Sequence, residues 1–269
     1  MNGGRKTMAN YINQEILCEA YTHFSVEDYP SESERAKLRK ELLAFFTERA
    51  QFLFGESVQV IVEFEEGSLK TKLKVLGSAA IVVGALVNSY GSFRQGVDQI
   101  AKDSQMLAQS GVLEIAFRTK TAYCDRINVE RRRGVFGRAN ERILDLDSIK
   151  RRISETDLPP DKGRLKRFTS VIDYLSAWDA KTDALFSKLE NYETKACISA
   201  GFLEEMDKVL DQLEWAPLLT GKSIRSQALQ LDARLYGVVV GEHERYKTTV
   251  AAMKKKMLVR VQQYETQKV

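Results

Sequence analysis

Proline is nearly missing from this chain: Pro30, Pro159, Pro160 and Pro217 are the only four in 269 residues. Proline deletes a backbone donor and collides with the preceding turn, so its scarcity leaves most of the chain free to form long helices. Histidine is scarcer still. With only His23 and His243, acid–base chemistry built on imidazole has little to work with. Cys18, Cys124 and Cys197 are odd in number, far apart and without a nearby histidine, which suggests neither a disulfide framework nor a zinc site. A reducing cytoplasm is the compartment that fits, with membrane association left open. The opening MNGGRKTMANYINQEIL has no apolar run of the kind a secretory signal needs.

Recognised catalytic patterns are absent as well. TGKS at 220–223 resembles the end of a phosphate-binding loop, but the glycine required five residues before Gly221 is Ala216. Gly77, Gly84, Gly91 and Gly96 never fall into the Gly-x-Gly-x-x-Gly spacing of a dinucleotide fold. Four residues after His243 stands Lys247 instead of a second histidine, so His243 reads as a surface or partly packed residue. Glu204, Glu205, Asp207 and Asp211, like Asp145 and Asp147, read as solvated helix faces. No catalytic residue, metal site or cofactor is assigned, and no small-molecule substrate is identified.

What the chain does contain is enough apolar material, 43% against 29% charged, to bury a large core. Ile12, Ile16, Ala20 and Phe24 recur at helical spacing and predict a first helix. Ser31 or Ser33 caps a second, which runs through Phe52-Leu53-Phe54 to Gly55 and places Leu38, Leu42, Phe45, Phe46, Ala50 and Phe52 on its apolar side. The period then changes to two. Val58, Val60, Val62 and Phe64 share one face, as do Leu69, Thr71, Leu73 and Val75, with Lys70, Lys72 and Lys74 opposite. A turn at Gly67-Ser68 sets Glu65 across from Lys70, Glu63 across from Lys72 and Val62 across from Leu73.

A hairpin is marginal alone and must lie on something apolar. The expected support is the segment that follows, uncharged from Val75 to Phe93, with Gly77, Ala80, Gly84 and Gly91 as a strip of small residues for close helix association. Nineteen residues would span roughly 28 Å as a helix. Its eight strongly apolar side chains supply only about 2.4 to 4.8 kcal/mol of insertion energy, offset by glycines, serines and Asn88, so a protein environment is the expected one. Asn88 to Gly96 reads as a hinge.

Helices of moderate length follow to about Arg126, a break at Gly134-Val135-Phe136-Gly137, and another helix to about Ile153. Arg118 to Arg167 holds fifteen Lys or Arg against eight Asp or Glu. Within it Arg126, Arg131, Arg132, Arg133, Arg138, Arg142, Arg151 and Arg152 form a candidate anion or nucleic-acid surface, the alternative being ordinary ion pairs with Asp125, Glu130, Glu141, Asp145 and Asp147. After the Pro159-Pro160 linker, three long helices read as an antiparallel bundle or coiled-coil arm. They are marked by Val171 to Tyr192, Phe202 to Leu213, and Ser223 to about Gln263.

EEGSLK at 65–70, an apolar segment and YGSFRQGVDQI at 90–100 together resemble a pattern in small uncharacterised bacterial proteins, some in anti-phage defence neighbourhoods. The resemblance implies a bacterial, defence-related role and no catalytic residues.

The expected fold is mainly α with a small β-hairpin: an α+β domain over 1–156, a linker at 157–163 and a helical bundle over 164–269. The expected function is non-enzymatic assembly or partner binding, by self-association or with another protein. One alternative is a membrane-acting effector using 75–93, and a second is a nucleic-acid-binding subunit using 126–152.

Overall fold

A computed structural model describes residues 15–24, 30–65, 69–90, 92–121, 126–132, 134–155, 162–209, 213 and 233–267. The protein is mainly helical with one small antiparallel sheet. Two compact units divide it: Met1–Asn140 with Leu189–Thr194, and Glu141–Lys188 with Lys195–Val269. The elements in chain order are β1 (Glu15–Phe24), α1 (Glu32–Phe54), β2 (Gln59–Glu65), β3 (Leu69–Gly77), α2 (Ala79–Tyr90), α3 (Phe93–Arg118), β4 (Arg126–Arg132), α4 (Gly134–Ser154), α5 (Lys162–Phe186), α6 (Tyr192–Asp207) and α7 (Ala233–Thr266).

In the first unit the sheet order is β2-β3-β1-β4. The β2–β3 hairpin has the expected register, with Glu65 across from Lys70, Glu63 across from Lys72 and Val62 across from Leu73. The charges pair diagonally as well: Lys72 with Glu65, and Lys74 with Glu63 at 2.9 Å. Its turn, 66–68, lies outside the described residues.

The stretch expected as a first helix is instead the inner strand β1, hydrogen-bonded to β3 on one side and β4 on the other. A spacing of four satisfies a period of two as readily as one of 3.6, so Ile16, Ala20 and Phe24 could not tell the two apart. From Cys18 onward Cys18, Ala20, Thr22 and Phe24 alternate as a fully buried set, while before it a register shift between Ile16 and Cys18 buries Leu17 and leaves Ile16 37% exposed; Glu15 and Glu19 are buried as well. Burial, and secondarily Glu19, pushes the Cys18 thiol up to about 12, so it is protonated and inert.

Strand β4 stands where a helix end near Arg126 and a break before the next helix are expected. RINVERR carries two apolar residues, yet it pairs with β1 over Glu19–Phe24. Charged side chains on an outer strand discourage further pairing.

α1 begins and ends where expected. Ser31 and Glu34 form a reciprocal capping box, and Gly55 closes the helix at φ 92°. It buries Leu42, Phe46, Ala50 and Phe54, while Phe52, assigned to that face from sequence, is 88% exposed. At 100° per residue Phe52 lies well over 90° from the centre of the buried stripe.

The uncharged segment is not one helix. Val75, Leu76 and Gly77 finish β3, α2 takes twelve residues, and Phe93 opens α3. Nor does the hairpin rest on it: the sheet packs under α1 and α3, and α2 packs against α3. Among the described residues no helix is long and apolar enough to cross a membrane. Gly96 is buried within the first turn of α3.

The second unit is an up-down-up arrangement of α5, α6 and α7. α5 and α7 run parallel at a nearly constant offset, with Phe168 against Tyr246, Asp179 and Asp183 on Lys256, Asp183 on Arg260, and Phe186 stacked on Tyr264. α6 sets Phe202 against Trp178 and Phe186. The C-terminal part of α4 joins them, so the division falls at Asn140/Glu141 and earlier than the 157–163 linker. Trp178 Nε1 donates to the Arg142 carbonyl at 2.7 Å, one of the bonds that tie α4 to α5. Residues 156–161 lie outside the described residues.

The acidic cluster on α6 is not wholly solvated. Glu205 is 1% exposed and held between Lys208 Nζ at 2.5 Å and Lys150 Nζ at 3.3 Å. Burial alone would raise its carboxyl, but hydrogen bonds and charge from Lys208 and Lys150 outweigh that and hold it below its ordinary value.

Two expectations follow. Gly134 sits at φ 60°, and a Cβ there would lie 2.2 Å from the Ile16 carbonyl oxygen and 2.3 Å from that of Leu17. Gly134→Ala should cost about 2 kcal/mol or more in urea denaturation, since both backbone strain and a backbone collision oppose it. Glu205, with its folded value depressed, contributes stability that is fully present above its unfolded value of 4.5 and is lost as pH falls through the lower folded value. The urea midpoint of the wild type should therefore drop below pH 4.5 more steeply than that of Glu205→Gln.

Candidate partner-binding face

α3 lies against the sheet with one full side buried, through Val97, Ile100, Ala101, Ser104, Leu107, Ala108, Gly111, Val112 and Ile115. The approach is tight at Gly111, where a Cβ would stand 3.2 Å from the Ala20 Cβ and 3.6 Å from Phe46 Cζ. A helix so committed normally turns a polar line to solvent. The line of α3 diametrically opposite the sheet begins polar at Gln95, Gln99 and Lys102, then becomes apolar. Met106, Leu113 and Phe117 are 58%, 50% and 79% exposed.

Their spacing of seven and four keeps them within about 20° of one line at 100° per residue. Ser110, between Met106 and Leu113, turns its hydroxyl back to the Leu107 carbonyl at 2.9 Å and adds no polar protrusion. Arg118 closes the lower end, paired with Glu114 and with Glu41 of α1, both at 2.7 Å. The signal was present in the sequence as two apolar faces on one helix, of which the inner one is the core.

The glycine strip does not assemble as one face. Gly77 ends β3, where a Cβ would meet Leu17 Cδ1 and Val58 Cγ1 at 3.0 Å. Ala80 is half-buried in α2, with its N–H donating to Thr194 Oγ1 at 3.3 Å. Gly84 is exposed with no atom within 4 Å of a Cβ position, and Gly91 lies outside the described residues. α2 is anchored instead by Ala79, Val82 and Val83.

The eight arginines are divided among elements. Arg126, Arg131 and Arg132 belong to β4, and of their side chains only Arg131's is described, as exposed; Arg133 lies outside the described residues. Arg138, Arg142, Arg151 and Arg152 belong to α4, the first falling in the first unit and the other three in the second. Arg142 is tied to Asp145 at 3.2 Å and Glu141 at 3.8 Å, as the ion-pair alternative anticipates. Arg138 and Arg151 are exposed, and Arg152 lies over the Tyr174 ring at 4.5 Å.

The second unit carries a groove of about 190 Å³ between α4 and α5. Each helix lines it with a four-residue set at the same spacing: Asp145, Ser148, Ile149 and Arg152 facing Tyr174, Ala177, Trp178 and Lys181. Lys181 closes one end by pairing with Asp145 at 3.4 Å, and Arg152 on Tyr174 closes the other. Ser148, Tyr174 and Lys181 carried no distinguishing sequence signal, since only the antiparallel crossing brings them together.

His243 is buried at 6% exposure, not a surface residue, and burial pushes its imidazole below its ordinary value. Cys197 is half-buried, and Cys124 and TGKS at 220–223 lie outside the described residues. Among the described residues no group of His, Cys, Asp or Glu is placed to hold a metal ion.

A line that is exposed in the folded chain contributes little to folding. Met106→Gln, Leu113→Gln and Phe117→Gln should each shift stability by no more than about 0.5 kcal/mol, and the three combined should lower the binding of a fluorescent apolar dye to the native protein. Comparison with known protein families, curated proteins and solved structures finds no match for this chain, so its function is read from its own residues.

Proposed function

We propose that this protein works without catalysis, by assembly or partner binding, and that the outward line of α3 is the contact. The observation that carries the reading is the exposure of Met106, Leu113 and Phe117 along one line, opposite a face already filled by the sheet. Contiguous exposed apolar side chains on a folded protein mark interaction sites. Fully covering one such side chain is worth about 1.5 to 3 kcal/mol. Three that are half to three-quarters exposed supply roughly 3 to 5 kcal/mol, comparable with the lower end of the cost of association, about 4 kcal/mol. The polar flank of Gln105 and Gln109 must then contribute to hold the partner.

The setting of bacterial anti-phage defence rests on the resemblance of EEGSLK and YGSFRQGVDQI alone. The other two readings have less beneath them. A membrane-acting helix over 75–93 would have to be assembled from pieces of β3, α2 and α3, and a nucleic-acid surface over 126–152 from arginines of two elements in two units.

The decisive experiment places a photo-activated cross-linking side chain at position 113, with position 255 of α7 as the control, and irradiates the full-length protein in its host. A discrete adduct formed from 113 and not from 255, and abolished by Phe117→Glu with the melting temperature unchanged, supports the reading. Equal labelling from both positions, or none from 113, removes it.

A further inference from the structure

The geometry points to the α4–α5 groove of the second unit as a binding site for a small aromatic anion, a single ring bearing one phosphate or carboxylate. Size sets the first limit. Sites for drug-sized ligands occupy about 300 to 1,000 Å³; this one, at about 190 Å³, takes a single ring and its substituent.

Composition sets the second. The floor is apolar, formed by Ile149 at 3% and Trp178 at 1% exposure. Trp178 is immobilised there because its Nε1 donates to the Arg142 carbonyl at 2.7 Å, so the indole offers only its ring. Ser148 and Ala177 are the small residues at mid-groove, and they are what leaves room between the two helices.

Charge sets the third. Two cations and one carboxylate line the groove, and that carboxylate, Asp145, is shared between Lys181 at 3.4 Å and Arg142 at 3.2 Å. Arg152 has no carboxylate within ion-pair distance among the described residues; its guanidinium lies over Tyr174 with 4.5 Å between its carbon and the ring centroid. Stacking occupies the face of a guanidinium and leaves its N–H edge free to bind an anion in two-pronged fashion. The hydroxyls of Ser148 and Tyr174, neither engaged by another described residue, add donors beside it. An anion is therefore held at the Arg152 end, with the ring laid along the floor toward Ala177.

This site is separate from the α3 line and does not depend on it. Trp178 reports on the site directly, and the only other tryptophan, Trp215, is removed by Trp215→Phe. In that background, titration with phenyl phosphate should give a saturable change in fluorescence. Inorganic phosphate should bind about tenfold more weakly, lacking the ring, and benzyl alcohol should not saturate.

Arg152→Gln should weaken phenyl phosphate about tenfold or more, the usual worth of a charged hydrogen bond. Ala177→Leu, an exposed position that keeps every charge, should abolish binding by filling the groove. Phenyl phosphate binding that survives Ala177→Leu with the fold intact, or phosphate binding as tightly as phenyl phosphate, would overturn the assignment. So would the absence of any saturable signal.

Discussion

The first unit depends on how closely α3 can approach the sheet. At Gly111 a hydrogen stands where a methyl group would come within 3.2 Å of Ala20, and Phe46 of α1 and Leu73 of β3 meet at the same point. That contact joins a helix, the inner strand, the hairpin and the covering helix α1 at one place. Once α3 is seated there, its inner side is fully used. Whatever its outer side carries is then free for another purpose, and Met106, Leu113 and Phe117 are what it carries.

The second unit is held by a different balance. Its core is aromatic, with Trp178 and Phe186 each in edge contact with Phe202 and Tyr264 stacked on Phe186. Its periphery is ionic. Lys256 bridges Asp179 and Asp183, and Arg260 closes on Asp183. Burial alone would raise the Asp183 carboxyl, but hydrogen bonds from Lys256 and Arg260 outweigh it and keep the group below its ordinary value. Such pairs add direction more than strength. They lie at the register in which α5 and α7 travel side by side.

Legibility followed redundancy. The register of the β2–β3 strands could be read because alternation, cross-strand charge and burial all demanded the same one. α1 could be read because its cap and its terminating glycine agree with its apolar stripe. β1 could not, because a four-residue repeat belongs to both periods and its partners lie 50 and 110 residues downstream. β4 could not, because an outer strand needs little apolar content and RINVERR has little. The uncharged stretch misled for the opposite reason: lack of charge says that a segment is buried but not where one element stops and the next begins. As for sites, the arginines were visible as composition, yet it is Arg152 that lines the α4–α5 groove, and its neighbours from α5 come from a helix no local pattern connects to it.

The order of strands has a consequence for how the chain comes off the ribosome. β1, the first of the described strands, is an inner one, and its outer neighbour β4 is more than a hundred residues away along the chain. Closing so long a loop is entropically slow compared with forming a hairpin or a helix. During that interval β1 can pair with β3, and its other edge stays open. The arginines of β4 discourage strand addition only after β4 itself has arrived, so until then the open edge of β1 is a template for pairing with another chain.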